Sequence, residues 1–470
     1  MHTRNESLDA LRGFAILAMV LSGSIAFGDT MPGWMYHAQV PPPLHQFNPG
    51  LPGITWVDLV FPFFLFSMGA AMPLSLQKYL VAKSSFGTVA WVAFKRFLLL
   101  AFFALFTEHF KAWNLADAPA TKEHLLSLLA FVLLFFQFYE RKNQQYKSAY
   151  MALRILAFAG SVFLLWVLPF QGGAGFRFYK SDIIIIVLAN MAFFGTLIYY
   201  ATANRPLVRL GILPFVMAIF LAAKEPGMGW SKAIFNFSHI GSFQFDWLYK
   251  FYFLKYLFVV IPGTMAGEWI MGASKNDKPP TENKAVKNWL AIIAAVLVCL
   301  NVYCLYQRLL LINVVSTVVL CGVAIYLIKK PEATSRLIKN MVKAGCYLLL
   351  LGLFFEAFEG GIKKDPSTYS YYFVTSGLAF LMLVSFTVFV RLKYVGSFVR
   401  YFSLNGKNPM VAYVAGSLLL LPLMTLTHTK PLWDSLQQNA WMGFLKGATF
   451  TAIVSGVTIL FVKRKWFWKT

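Results

Sequence analysis

Residues 53–77 read GITWVDLVFPFFLFSMGAAMPLSLQ, and this stretch decides the fold class. It holds a single ionisable group, Asp58, in 25 residues. At about 1.5 Å per residue a helix of that length crosses the roughly 30 Å of hydrocarbon in a bilayer. Inside lipid every backbone amide must find its partner within the segment, so the block is read as a transmembrane helix and not as a strand.

Comparable apolar blocks run along the whole chain. The sequence predicts crossings at 9–27, 53–77, 95–111, 123–139, 155–170, 183–201, 210–223, 248–272, 289–307, 309–328, 345–359, 369–391, 408–425 and 441–462. The expectation is an all-α, polytopic transmembrane helical bundle of roughly 11–14 helices. Composition agrees: of 470 residues 58% are hydrophobic and only 13% charged, half the roughly 25% charged of a soluble domain. The chain reads as one membrane domain, with a first half 1–272, a polar linker 273–288 and a second half 289–470. No internal repeat is visible, which disfavours a transporter built from duplicated halves.

The net charge of +23 is read by position. If the N-terminus is cytoplasmic, 29 of the 42 Lys and Arg residues fall on cytoplasmic segments, so both termini are expected inside, in a bacterial inner-membrane type of protein. Basic residues spread over many short loops point to topology and anionic lipid headgroups, with no nucleic-acid partner. Glu6 and Asp9 precede the first apolar block, whereas a cleaved signal begins with basic residues, so the block is expected to be retained. Cys299, Cys304, Cys321 and Cys346 lie in or beside apolar blocks without metal spacing and are expected as core residues, with no metal.

The loop 28–52 (GDTMPGWMYHAQVPPPLHQFNPGLP) has six prolines, two histidines and no Lys or Arg. Proline restricts the chain, so the loop is either a rigid cap or a platform holding His37 or His45 at a cavity mouth. Asp58 sits at membrane depth, where a carboxylate is costly. It either caps its own helix or orients an imidazole for general-base or nucleophilic work. Glu356 and Glu359 share a helix face, as an acid–base pair or as salt-bridge partners of Lys363 and Lys364, the latter being preferred. The Gly406-Lys407-Asn408-Pro409 run opens a helix, where free amides beside Arg400 and Lys407 would suit phosphates; a plain turn explains it equally. No GxGxxG, P-loop or GxSxG motif occurs.

Arg4-Asn5-Glu6-Ser7-Leu8-Asp9-Ala10-Leu11-Arg12-Gly13, followed by an apolar helix and then by the 53–69 block, resembles the heparan-α-glucosaminide N-acetyltransferase family and its bacterial DUF5009-type relatives of unassigned function. The resemblance implies a membrane acyltransferase that passes acetyl from cytosolic acetyl-CoA to an extracytoplasmic amino sugar or glycan. It assigns catalysis to His37, in Trp34-Met35-Tyr36-His37-Ala38, with Asp58 beside it and His45 as the alternative. Arg96, Arg400, Lys407 and Asn408 are the expected CoA contacts, and Gly416 stands where the family carries a histidine. Expected partners are membrane lipid, the glycan acceptor and optionally a second copy of the chain. The competing expectations are a sugar or glycolipid transporter or flippase without chemistry, and a membrane scaffold.

Overall fold

The computed structural model describes residues 5–28, 31–140, 147–223, 229–276, 283–329 and 334–470. Of the basic residues used for topology, Arg4, Arg141, Lys142, Lys278 and Lys330 lie outside the described residues, as do residues 277–282 of the 273–288 linker.

Each of the fourteen apolar blocks is helical. In chain order they are α1 (Glu6–Ser22), α2 (Trp56–Val81), α3 (Phe86–His109), α4 (Thr121–Phe138), α5 (Lys147–Val167), α6 (Ile183–Ala201) and α7 (Pro206–Ala222). They continue with α8 (Leu257–Asn276), α9 (Lys284–Tyr306), α10 (Leu310–Leu327), α11 (Arg336–Phe358) and α12 (Tyr369–Phe389). After a short α13 (Val395–Gly406), the last two are α14 (Pro409–Leu426) and α15 (Ala440–Lys463). Twelve of these are long and apolar enough to cross a membrane, so the chain is an integral-membrane, all-α bundle. The only ladder among the described residues is a two-residue hairpin, His239–Ile240 with Phe243–Gln244.

Boundaries depart from hydropathy where a cap or a polar turn extends a helix. α3 begins at Phe86 and not at 95, because the Ser85 hydroxyl accepts the Thr88 amide at 3.2 Å. α11 begins at Arg336 and not at 345, carrying Lys339 and Lys343 on its first turns. The amphipathic α13 has no apolar block to announce it. Within α14, residues Ala415–Leu420 widen into a π-helical turn.

Small residues let the helices touch. Gly69 of α2 lies against the Val260 backbone, while Gly263 and Gly267 of α8, a Gly-x-x-x-Gly pair, lie against Phe66 and Ala70 of α2. A Cβ on any of the three would strike main chain. Gly13 of α1 and Gly406 of α13 make an equally close pair: a Cβ on either would overlap the other helix's carbonyls, at Phe402 and Asp9. Arg12 reaches Asp9 at 3.3 Å, the Gly406 carbonyl at 3.4 Å and the Ser67 carbonyl at 3.5 Å. The Asp9-x-x-Arg12-Gly13 run is thus a helix-crossing device. The two halves of the chain interleave through these contacts, with α12 the most enclosed helix.

Candidate functional site at the loop end of the bundle

Thr55 and Asp58 form the N-terminal capping box of α2. The Asp58 Oδ2 accepts the Thr55 amide at 2.9 Å, the Thr55 hydroxyl at 3.3 Å and the Ala38 amide at 3.2 Å. Its Oδ1 lies 2.7 Å from His37 Nδ1. One carboxylate therefore both caps a helix and holds an imidazole. The carboxylate is 2% exposed and the imidazole 38%, so the pair has a buried anion at its base and a ring open to the outside. Burial of the charge is tolerated because both oxygens are fully hydrogen-bonded.

The loop is held in place from three sides. Thr55 Oγ1 donates to the Tyr36 carbonyl at 2.7 Å, and the Tyr36 hydroxyl donates to the Ala26 carbonyl. Gln39 clasps the backbone of Asp365, accepting its amide at 2.8 Å and donating to its carbonyl. The Gly53 amide donates to the Ile362 carbonyl at 2.7 Å, and at Gly361, with φ +126°, a Cβ would strike Pro52. That cross-link brings in Lys364, a residue that sequence reasoning assigned to the glutamates. Its Nζ lies 3.1 and 3.2 Å from the two His37 ring nitrogens and 4.0 Å from Asp58 Oδ1. Burial pushes the Lys364 ammonium below its ordinary range, against the opposing pull of Asp58 and Asp365. From the core side the Tyr371 hydroxyl donates to the Asp58 carbonyl at 2.7 Å.

The other expected residues are placed differently. His45 turns away from Asp58: its Nε2 lies 2.9 Å from the Gly28 carbonyl, and its ring packs edge-on against Phe27 and Tyr36. Glu356 pairs with Arg308 at 2.6 Å, and Glu359 accepts the Tyr369 and Ser370 amides at the start of α12, so neither meets Lys363 or Lys364 as expected. The glycine turn between α11 and α12 is followed by Lys364, which meets His37 instead.

Arg96, Arg400, Lys407 and Asn408 lie at the opposite, basic end. The Asn408 amide donates to the Trp466 carbonyl at 2.9 Å and its oxygen accepts the Trp468 amide at 3.1 Å, so it fastens the segment after α15. Arg400 bonds the Val390 carbonyl and Ser397, both at 3.2 Å, and Arg96 bonds Thr470 at 3.3 Å. Of the amides at this turn, those of Lys407 and Asn408 donate to the Leu404 and Asn405 carbonyls.

A cavity of about 630 Å³ opens at the loop end, among Ser24, Phe27, Lys111, Trp113, Tyr413 and Trp433. Gly416 and Ser417 of the π-helical turn also line it. The Tyr413 hydroxyl donates to Asp182 at 2.6 Å, and Lys111 lies 2.6 Å from Glu108 and 3.9 Å from Asp182. On the far wall Lys430 and Lys446 share Asp434, at 2.5 and 3.3 Å. Burial opposes ionisation of Asp434, yet the two ammoniums outweigh it and hold the carboxyl below its ordinary range. A smaller, apolar cavity of about 40 Å³ shares Met19, Ile184 and Tyr413 and continues inward past Phe64 to Pro409. His37 does not line the large cavity; Phe27, which does, has its ring 5.5 Å from that of Tyr36. No cluster of three metal-ligating side chains occurs among the described residues.

No curated protein matches the chain. Residues 4–270, more than half of it, match the model of a family described as a domain of unknown function, DUF5009, and the chain belongs to that family.

Proposed function

We propose that this chain is a membrane acyltransferase that moves an acetyl group from cytosolic acetyl-CoA to an amino sugar or glycan on the other side. The observation that carries the reading is His37 seated at 2.7 Å on a buried, fully bonded Asp58. With Nδ1–H donating to Asp58, Nε2 keeps a lone pair. As general base, Nε2 takes the proton of the acceptor N–H or O–H while the new C–N or C–O bond forms, the thioester C–S bond breaks and CoA leaves as its thiol after protonation. As nucleophile, the same atom first carries the acetyl group. Asp58 stabilises the imidazolium in either route.

The 630 Å³ cavity is the acceptor chamber in this reading, since tryptophan faces beside ammonium, carboxylate and hydroxyl groups suit a sugar. In this reading the acetyl group reaches the chamber by way of the small apolar cavity beside Phe64, and the phosphates of CoA stay at the basic end near Arg96, Arg400, Lys407 and Asn408. That His37 does not line the chamber favours a second reading, transport of a sugar or glycolipid without chemistry.

Purified protein incubated with acetyl-labelled acetyl-CoA separates the two. Release of CoA with acetyl transfer to glucosamine or chitobiose is expected, lowered roughly 10²-fold or more by His37→Ala and strongly by Asp58→Asn, with acetyl-CoA binding kept. His45→Ala is expected to be mild. Wild-type turnover in His37→Ala removes the imidazole from the reaction. Absence of both CoA release and an acetyl-CoA-induced rise in Tm favours transport.

A further inference from the structure

A groove of about 450 Å³ lies between α10 and α11, remote from the site above. α10 is among the least enclosed of the long helices, and its Val315, Val319 and Val323 are exposed, so this face of the bundle meets acyl chains. The groove has an apolar shaft, from Val318 through Ile325 and Leu350, floored by Cys321 and Cys346. Gly322 keeps it open, for a Cβ there would find no atom within 4 Å.

At one end the chemistry changes. Lys329 and Lys343 flank the mouth, both exposed, with Tyr326 and Tyr347 beside them. No carboxylate forms an ion pair with either lysine among the described residues; Lys329 lies over the Tyr326 ring at 5.8 Å. The two lysines mark one level in the bilayer. Lys329 follows the end of the apolar block 309–328, and Lys343 precedes the start of the block 345–359. Tyrosines at that level are interfacial side chains, with an apolar ring and a polar tip.

We propose that the groove binds an anionic phospholipid, with its phosphate between Lys329 and Lys343 and one acyl chain along Val318, Ile325 and Leu350. Two exposed ammoniums, neither paired with a carboxylate among the described residues, select for negative charge, and the shaft selects for a chain attached to it, which a free phosphate lacks. The inference is independent of the acyl-transfer reading.

Native mass spectrometry of the full chain in a neutral detergent, with phosphatidylglycerol and phosphatidylcholine supplied in equal amounts, tests it. Phosphatidylglycerol adducts on the monomer are expected to exceed phosphatidylcholine adducts about tenfold. Lys329→Gln with Lys343→Gln abolishes the preference. Gly322→Leu, which fills the groove and keeps both charges, abolishes the adduct itself, whereas Lys463→Gln with Arg464→Gln, equal in charge but elsewhere, leaves it intact. Four results overturn the proposal: equal uptake of both lipids, an unchanged preference in the lysine double variant, displacement of the adduct by inorganic phosphate, or a dimer that excludes lipid from the groove.

Discussion

Asp58 is the most heavily used side chain of the site, and its two duties explain why a carboxylate is tolerated there. The capping box satisfies amides that any helix start leaves open, and the second oxygen is left for His37. Lys364 has the opposite character: it is a charge placed where burial resists it. Its folded pKa lies below the ordinary 10.5, so the folded state holds fewer protons than the unfolded chain between the two values. The penalty is therefore full below the folded pKa and disappears as pH rises through the interval toward 10.5. Lys364→Met is expected to raise Tm at pH 7, with a gain that shrinks as the pH is raised toward 10.5; thermal melts across that range check it. A gain that grows with pH contradicts the assigned burial. The Asp58–His37 pairing was open in the sequence only as a choice between two histidines, since a loop of six prolines gives no register. Lys364 was hidden for a plainer reason: its partner lies 327 residues away, and nearby glutamates offered a local alternative.

At the scale of helices, hydropathy located all fourteen blocks, because the cost of an unpaired amide in lipid leaves few alternatives to a helix of sufficient length. It missed α13, which is short and amphipathic, and it clipped α3 and α11 where caps and lysines carry a helix beyond the apolar core. The packing between helices was legible only in part. Gly263-x-x-x-Gly267 is a recognisable close-contact pair, but its partner Gly69 is isolated in sequence. A side chain at Gly263 has to push α2 and α8 apart, since the clash is with the Phe66 backbone and no rotamer relieves it. Gly263→Leu is expected to cost roughly 1–3 kcal/mol or more in denaturation from detergent. Gly211→Leu, at an open position, is the control and is expected to leave stability nearly unchanged.

For the molecule as a whole, the loop end gathers the prolines, the dyad and the polar cavity, while the other end gathers Arg96, Arg400, Lys407 and the segment after α15. From the 29-of-42 distribution of basic residues that second end is expected to face the cytoplasm. Reporter fusions at Lys275 and Thr470 are expected to report cytoplasm, and fusions within 28–52 the opposite side. A reversed result at either terminus inverts the side from which acetyl-CoA reaches the protein. Cytoplasmic fusions at both sites together with an external 28–52 loop leave the proposed direction of transfer standing.

The seam between α1 and α13 also sets a clock for biogenesis. Arg12 and Gly406 are 394 residues apart in the chain yet share a contact in the folded protein. At about 5–20 residues per second, translation leaves α1 in the membrane for roughly 20–80 s before α13 emerges. During that interval the notch at Gly13 faces lipid or the insertion machinery, and Arg12 has not yet met the Gly406 carbonyl. A helix inserted early is thus locked late, and slowing elongation lengthens the period in which a quality-control protease finds α1 unclasped.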